Sequence, residues 1–306
     1  MAALDTLFIL NPAAGHGRAG GRWRDAYERV KGRAGAHRVV ETERPGHGRE
    51  LARAAFEDGA RLVVAVGGDG TVGEVVDGLL AASAGARANA AMATFPAGSG
   101  CDFAGHARIP RDPAAWADAF ASGTVKRLDA GRATFRVGGV ERVRHFLNMA
   151  AAGLPGDVAL AVEKRGKPLG GTLTYLLEGA LAATLSRARR MRLTLDGKPE
   201  EGDFHLFTAA NTSTFGGGMK VAPDADTADG LLDIVTIGAM SNASLLALLP
   251  KAHSGGHVGK PGVSIRRARR VELSGPERLP LNIDGDAEGE APAVFEALPG
   301  VLPFRY

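Results

Sequence analysis

Three times in its first hundred residues the chain passes from a short apolar run through a glycine-bearing turn into a helical pattern. The runs are "LFIL" (7–10), "LVVAV" (62–66) and "AMATF" (91–95), and the turns are "NPAAGHGRAGG", "GGDGTVGEV" and "FPAGSGCDFAG". A fourth run, "HRVV" (37–40), falls between the first two. Apolar runs this short, bounded by turn residues, predict buried strands. Between the first two strands Trp23, Ala26, Tyr27 and Val30 recur at helical spacing, and after the third Val72, Val75, Val76 and Leu79 do the same. Strand and helix in alternation imply a parallel sheet wound by helices. In such a sheet the turns share one edge, outside the carboxyl ends of the strands, where ligands bind. Glycines let backbone N–H groups approach phosphate oxygens, and helix N-termini add partial positive charge. Three such turns on one edge point to an extended anionic ligand such as a nucleotide.

From about residue 132 the pattern changes. "HFLNMAAAG", "MRLTLDG", "DFHLFTAAN", "LLDIVTIG", "RRVELSG" and "LPLNIDGD" read as strands in succession, interrupted by helical patterns near 157–188 and 241–252. Strands following an α/β half suggest a second, mainly antiparallel domain. The expected architecture is therefore α/β plus β. A Rossmann-like parallel α/β domain spans 1–130, with 291–306 packing back on it. An antiparallel β-sandwich domain spans 131–290, and the boundary lies near "KRLDAGRATF" (126–135).

Composition excludes several classes. Apolar residues make up 45% and charged residues 23% of the 306, as in ordinary globular proteins, and the 43 glycines show no collagen-like period. One cysteine, Cys101, leaves no intramolecular disulfide and fits a reducing cytosol. "MAALDTLFIL" lacks the basic region of a signal peptide, and the most apolar window, Tyr175 to Leu185, is interrupted by Glu178 and too short for a transmembrane segment. A net charge of +3 does not imply nucleic acid. These features predict a cytoplasmic protein.

The first turn contains Gly15, Gly17 and Gly20 in the G-x-G-x-x-G spacing of dinucleotide-binding folds, and Glu41 follows at the end of the second strand, as that rival requires. Against it, Asn11-Pro12-Ala13-Ala14 separates the strand from the first glycine. No G-x-x-x-x-G-K-[ST] is present, which excludes a P-loop. The second turn carries a carboxylate, Asp69, in the middle of a phosphate-binding sequence. An anion there is unfavourable unless a metal or the chemistry uses it.

With these motifs in order, the sequence resembles the diacylglycerol kinase catalytic-domain family, the lipid kinases that include sphingosine and ceramide kinases. "NPAAG" matches its N-P-x-x-G, "GGDGTVGEV" its G-G-D-G-T-x-N-E-V, and "PAGSGCDFAG" its P-x-G-T-G-N-D-F-A-R. "FGGGMKVAPDADTADGLLDI" resembles its glycine-rich, acidic segment, and "NIDGD" its D-G-E. The resemblance implies ATP- and Mg²⁺-dependent phosphoryl transfer to a lipid hydroxyl, with diacylglycerol giving phosphatidic acid. It places ATP near Asn11, Gly15, Thr42, Gly68, Asp69, Gly70, Thr71 and Ser99, with Asp69 near a catalytic Mg²⁺. A structural Mg²⁺ would be held by Asp226, Asp229 and the carbonyl of Leu231; oxygen-only ligation suits that ion. The general base would be Asp286, where the family has glutamate. Aspartate is one methylene shorter, and a displacement of about 1 Å can cost roughly 100-fold.

Gly73 and Cys101 also replace family asparagines, and Cys101 reads as a small buried residue rather than a reactive thiol. The arginine runs "SRARRMR" (186–192) and "IRRARR" (265–270) fit either anionic headgroups at the inner membrane surface or the solvent side of two strands. The pattern Leu173, Leu176, Leu177, Ala180, Leu181 and Thr184 reads as core. The rivals are a sphingoid-lipid kinase, an NAD kinase, a dehydrogenase and a nucleotide- or lipid-binding protein with weakened transfer; a homodimer is left open.

Overall fold

The computed structural model describes residues 5–17, 19–165 and 171–306. The start of the N-terminal stretch discussed above and the side chains of Leu173 and Leu176 lie outside the described residues. The chain forms two units, Met1–Leu128 with Gly300–Tyr306, and Asp129–Pro299.

The first unit alternates strand and helix: β1 (Thr6–Leu10), α1 (Ala19–Val30), β2 (His37–Glu41), α2 (His47–Glu57), β3 (Leu62–Gly67), α3 (Asp69–Ala81), the short α4 (Ala84–Arg87), β4 (Ala91–Pro96), the short α5 (Asp102–His106) and α6 (Pro113–Ser122). The strands are parallel in the order β2-β1-β3-β4, and Phe304 near the chain's end pairs beside Met92 of β4. Every residue of β1, β3 and β4 is buried, because helices cover both faces of a parallel sheet. Phe8, Trp23, Tyr27, Phe95, Trp116 and Phe120 form an aromatic cluster on the face of α1 and α6. On α3, a Cβ at Gly78 would stand 2.5 Å from the Arg49 carbonyl of α2, and the buried Asp77 pairs with Arg49 at 2.7 Å, so α2 and α3 pack closely. Chain connections diverge between β1 and β3, so the switch-point crevice lies at the ends of these two strands.

The second unit contains β5 (Val125–Val137), β6 (Val140–Phe146), β7 (Met149–Gly153), α7 (Leu154–Arg165), α8 (Gly171–Leu185), β8 (Arg189–Leu195), β9 (Lys198–Ala210), β10 (Leu232–Gly238), α9 (Asn242–Ser254), β11 (Val263–Ala268), β12 (Arg270–Ser274), β13 (Pro280–Ile283) and β14 (Asp286–Arg305), β5 starting and β14 ending in the first unit. The β-rich half closes on itself as an antiparallel barrel, β9-β7-β13-β14-β12-β8 and back to β9. Two long strands make the closure. The first half of β9 pairs with β8 and its second half with β7, while β14 pairs first with β13 and then with β12. Phe146, Phe207, Phe295, Leu193, Val271 and Leu281 fill its core.

Two strand readings need correction. "HFLNMAAAG" is not one strand: β6 ends at Phe146 and β7 begins at Met149, because the Asp284 carboxylate draws the amides of Leu147, Asn148 and Met149 out of the ladder. The β5–β6 hairpin is absent from the sequence reading, although "VGGV" between alternating residues is its signal. Gly138 and Gly139 supply the positive φ values, 57° and 82°, that this two-residue turn requires.

The reading of the 173–184 pattern as core is also overturned in part. On α8 Ala183 is fully buried, whereas Leu177, Leu181 and Leu185 are exposed. Among the described residues no helix is long and apolar enough to cross a membrane.

Candidate functional site

The three glycine turns of the first unit interlock. Asn11 Nδ2 donates to Thr71 Oγ1 at 3.0 Å, joining the first turn to the second, and Asn11 Oδ1 accepts from the Ala13 amide at 3.0 Å. A Cβ at Gly15, where φ is +57°, would stand 2.5 Å from the Ala97 carbonyl, which joins the first turn to the third. A Cβ at Gly98 would meet the Gly68 Cα at 2.4 Å, and the amides of Ala97 and Gly98 both donate to the Gly67 carbonyl. Thr42 attaches to the end of β1 by donating its amide to the Leu10 carbonyl at 2.8 Å. The structure thus gathers Asn11, Gly15, Gly68, Asp69 and Thr71 into one set at the switch-point crevice, with Gly70 and Ser99 exposed on the second and third turns.

This geometry also answers the dinucleotide reading. Of Gly15, Gly17 and Gly20, only Gly15 has a neighbour that forbids a side chain; Gly17 and Gly20 have nothing within 4 Å of an added Cβ. Glu41 is exposed. Gly15 is required by loop packing and Gly17 by its left-handed backbone at φ 75°, whereas Gly20 is required by neither.

Asp69 is half-buried and engaged. Its Oδ2 accepts from the Asp102 amide and its Oδ1 from the Phe103 amide, each at 3.0 Å, so it caps α5 and ties the second turn to the third. Cys101, just before that helix, is buried in the left-handed region at φ 56°. Burial, and then the nearby Asp69 charge, push its thiol up to about 11, so it is an unreactive buried group, in agreement with the sequence. Glu74, quoted in the motif but given no role, holds the start of α2 by accepting from the amides of Gly46 and Gly48 at 2.7 and 2.8 Å.

In the second unit "NIDGD" is a hairpin turn. Ile283 pairs with Asp286 across Asp284 and Gly285, whose φ values are 48° and 98°. The two aspartates differ in role. Asp284 is buried and accepts from three amides, those of Leu147, Asn148 and Met149, at 2.8 to 2.9 Å. Asp286 is exposed at the start of β14, with an oxygen 4.0 Å from the Arg144 guanidinium. Arg144, itself buried, pairs with Glu288, two residues beyond Asp286 on the same strand.

The acidic turn places Asp226 and Asp229 in similar local geometry. Each uses Oδ1 to accept an amide two residues on, from Ala228 at 3.0 Å and Leu231 at 2.9 Å. Arg267 stands 3.8 Å from the other oxygen of Asp229 and 3.5 Å from Asp233. Burial raises the Asp233 carboxyl above its usual range, Arg267 opposes the shift, and Asp229 and Asp224 add to it. No three His, Cys, Asp or Glu side chains gather as a metal cage among the described residues. The turn hydrogen bonds leave Oδ2 of Asp226 and of Asp229 outside them, and that of Asp229 faces Arg267.

The two arginine runs lie on strands and face carboxylates. Arg189 pairs with Asp157 at 2.7 Å, Arg190 and Arg192 with Glu201 at 2.8 and 3.1 Å, Arg266 with Glu200, and Arg270 with Glu272. A cavity of about 670 Å³ lies beside them, lined in part by Thr134, Arg136, Glu141, Arg192, Glu272 and Val294; none of the expected site residues lines it.

Comparison with known proteins agrees with this arrangement. Residues 5–133 match the family model described as the diacylglycerol kinase catalytic domain, and residues 148–304 the YegS C-terminal NAD kinase beta sandwich-like domain. The chain is 34% identical over 303 residues to a diacylglycerol kinase of Mycobacterium tuberculosis (strain CDC 1551 / Oshkosh), covering 96% of this chain and 92% of that one. To the diacylglycerol kinase of Bacillus subtilis (strain 168) it is 31% identical over 235 residues, 76% and 74% of the two chains. A crystal structure of a diacylglycerol kinase from Bacillus anthracis (strain Sterne) superposes with a TM-score of 0.72 at 20% identity, over 100% and 98% of the chains. Yeast NADH kinase in complex with NADH does so with a TM-score of 0.53 at 10% identity, over 100% and 83%. With interlocked glycine turns at its switch point and a relative matched along nearly its whole length, the chain belongs to the diacylglycerol kinase family of lipid kinases.

Proposed function

We propose that this protein transfers a phosphoryl group from ATP to the hydroxyl of diacylglycerol, giving phosphatidic acid. The observation that carries the reading is the interlocking of the three glycine turns, by Asn11 on Thr71, Gly15 over Ala97 and Gly68 over Gly98, at the crevice where a parallel sheet binds phosphates. In this reading Asn11, Gly15, Thr42, Gly68, Gly70, Thr71 and Ser99 hold the nucleotide. Asp69 keeps the second and third turns in register and presents its remaining lone pairs to the metal side of the phosphates. A bound Mg²⁺ supplies charge neutralisation at the transferring phosphoryl. Asp226, Asp229 and the Leu231 carbonyl hold a second, structural Mg²⁺.

Asp286 takes the proton of the lipid hydroxyl. Its exposure leaves it open to an acceptor, and the Arg144 guanidinium stands 4.0 Å from one of its oxygens. The test is labelled ATP with Mg²⁺ offered to detergent micelles containing diacylglycerol, sphingosine or ceramide, with NAD as a soluble comparison. The reading predicts label in phosphatidic acid above all. Label in NADP would replace it with the NAD kinase reading, and no label in any product would leave a nucleotide- or lipid-binding protein.

A further inference from the structure

We propose that the tip of the β5–β6 hairpin, residues 136–143, is the surface by which this protein docks on an anionic lipid bilayer. The inference rests on the lipid-kinase reading, since an enzyme of that kind must reach a substrate held in a membrane.

Every residue from Arg136 to Val143 is exposed. Val137 and Val140, paired across the Gly138-Gly139 turn, are 46% and 58% exposed, and Val143 is 47% exposed. One step inward the same hairpin buries Phe135 and Phe146 almost completely, so the core ends before the valines begin. Single exposed apolar residues are ordinary, but Val137 and Val140 are paired on one face of the tip with Arg142, and Val143 adds an apolar residue to the opposite face beside Arg136.

Charge supplies the second part of the argument. Arg136 and Arg142 stand beside the valines, and among the described residues neither has a carboxylate within ion-pair distance, although Arg136 lies opposite Glu141 in the ladder. The arginines of the two basic runs that draw the eye in the sequence are largely spent on carboxylates. Arg187 and Arg269 of the runs are exposed and, like Arg136 and Arg142, have no carboxylate within ion-pair distance among the described residues; what sets the hairpin apart is that its cations stand beside exposed valines. A bilayer surface offers both complements, an apolar layer for the valines and anionic headgroups for the arginines.

A second copy of the chain fits less well. Among the described residues β6 pairs only with β5, which leaves its far edge without a strand there. Antiparallel pairing of that edge with its own copy sets like charges together: Glu141 against Glu141, Arg142 against Arg142, or Arg142 against Arg144, depending on the register. The stripe Leu177, Leu181 and Leu185 on α8 is the competing apolar surface, but the Arg165–Glu178 pair beside it cancels in charge.

Vesicle sedimentation without ATP tests the proposal, using phosphatidylcholine alone and mixed with phosphatidylglycerol. Wild type is expected to bind the mixed vesicles and to bind phosphatidylcholine far more weakly. The double variant Arg136→Glu/Arg142→Glu should lose about tenfold or more, since each basic residue at such a surface contributes on the order of 1 kcal/mol. Val140→Glu should lose binding too, and Leu181→Glu should keep it. Because the substituted residues are exposed, melting temperatures should not change. The proposal is overturned if the hairpin variants bind like wild type, if Leu181→Glu alone abolishes binding, if wild type ignores vesicle charge, or if the hairpin variants change only the protein's self-association. The readout needs no turnover, so its failure is separable from failure of the micelle assay.

Discussion

The glycine turns of the first unit are joined by close backbone approach together with the side chains of Asn11 and Asp69, whereas the Asp-Gly turn of the second is held by one buried carboxylate. Around Gly15 and Gly98 the backbones approach so closely that a Cβ has no room, and at Gly68 a Cβ would stand 3.3 Å from the Gly98 Cα. Around Asp284 one carboxylate satisfies three amides that no strand or helix pairs. In the first unit close backbone approach keeps side chains out of the turns, which lets a ligand's phosphates come near the main chain. Backbone built on a buried carboxylate consumes its amides and instead fixes the next residues of the chain, here Asp286 at the start of β14.

The largest effect expected from this contrast is at Asp284. Asp284→Ala leaves three amides without a partner and should cost about 3–5 kcal/mol in urea unfolding, whereas Asp284→Asn, which keeps an acceptor oxygen, should cost clearly less. Equal losses in the two variants would show that the amide cluster is not what Asp284 supports.

Next is the acidic turn, where the side chains are present but do not complete a cage. Mg²⁺ at 100 times its Kd should raise stability by roughly 2.7 kcal/mol in wild type, and Asp229→Ala should remove most of that gain. A variant that responds to magnesium as wild type does would refute the structural ion.

In the first unit Gly98→Ala forces a Cβ to 2.4 Å from the Gly68 Cα and should cost about 1–3 kcal/mol. Gly20→Ala, in open space within α1, should instead gain on the order of 0.5–1 kcal/mol. Destabilisation by Gly20→Ala would restore the dinucleotide fingerprint as a working motif.

The smallest effect is at Cys101. Its folded-state value lies above the ordinary cysteine value, so its contribution to stability is full at neutral pH and is lost as pH rises toward about 11. The stability difference between wild type and Cys101→Ser should therefore shrink across that range, and alkylation at neutral pH should be slow. Rapid labelling of folded protein would contradict the burial.

The first unit is legible in the sequence because its signals are local. Buried parallel strands are continuous apolar runs, and turns that need close backbone approach need glycine. The second unit is less so. In β5 and β6 the apolar residues are interspersed with charged ones and several of them are exposed, and β11 and β14 alternate weakly, so tertiary pairing rather than pattern makes them strands. The arginine runs look like free charge because their partners, Asp157, Glu200 and Glu201, come from other elements of the chain. Glu74 and Asp284 stand within the quoted motifs, yet their amide partners 26 to 137 residues away in sequence cannot be read from them. Leu177 and Leu181 have core spacing, and only the packing of α8 on its other face shows that they point outward.

The most direct measurement is the effect of Asp286→Asn on diacylglycerol phosphorylation, with ATP-induced thermal stabilisation followed in the same samples. If the first unit binds the nucleotide and Asp286 takes the proton, the variant should keep the ATP shift and lose about 100-fold or more in kcat, because an amide of the same size cannot accept the proton. Asp286→Glu, which lengthens the side chain to the family's residue, should turn over at least as fast as wild type. An Asp286→Asn enzyme with wild-type kcat, or one that has lost the ATP shift, would contradict the account.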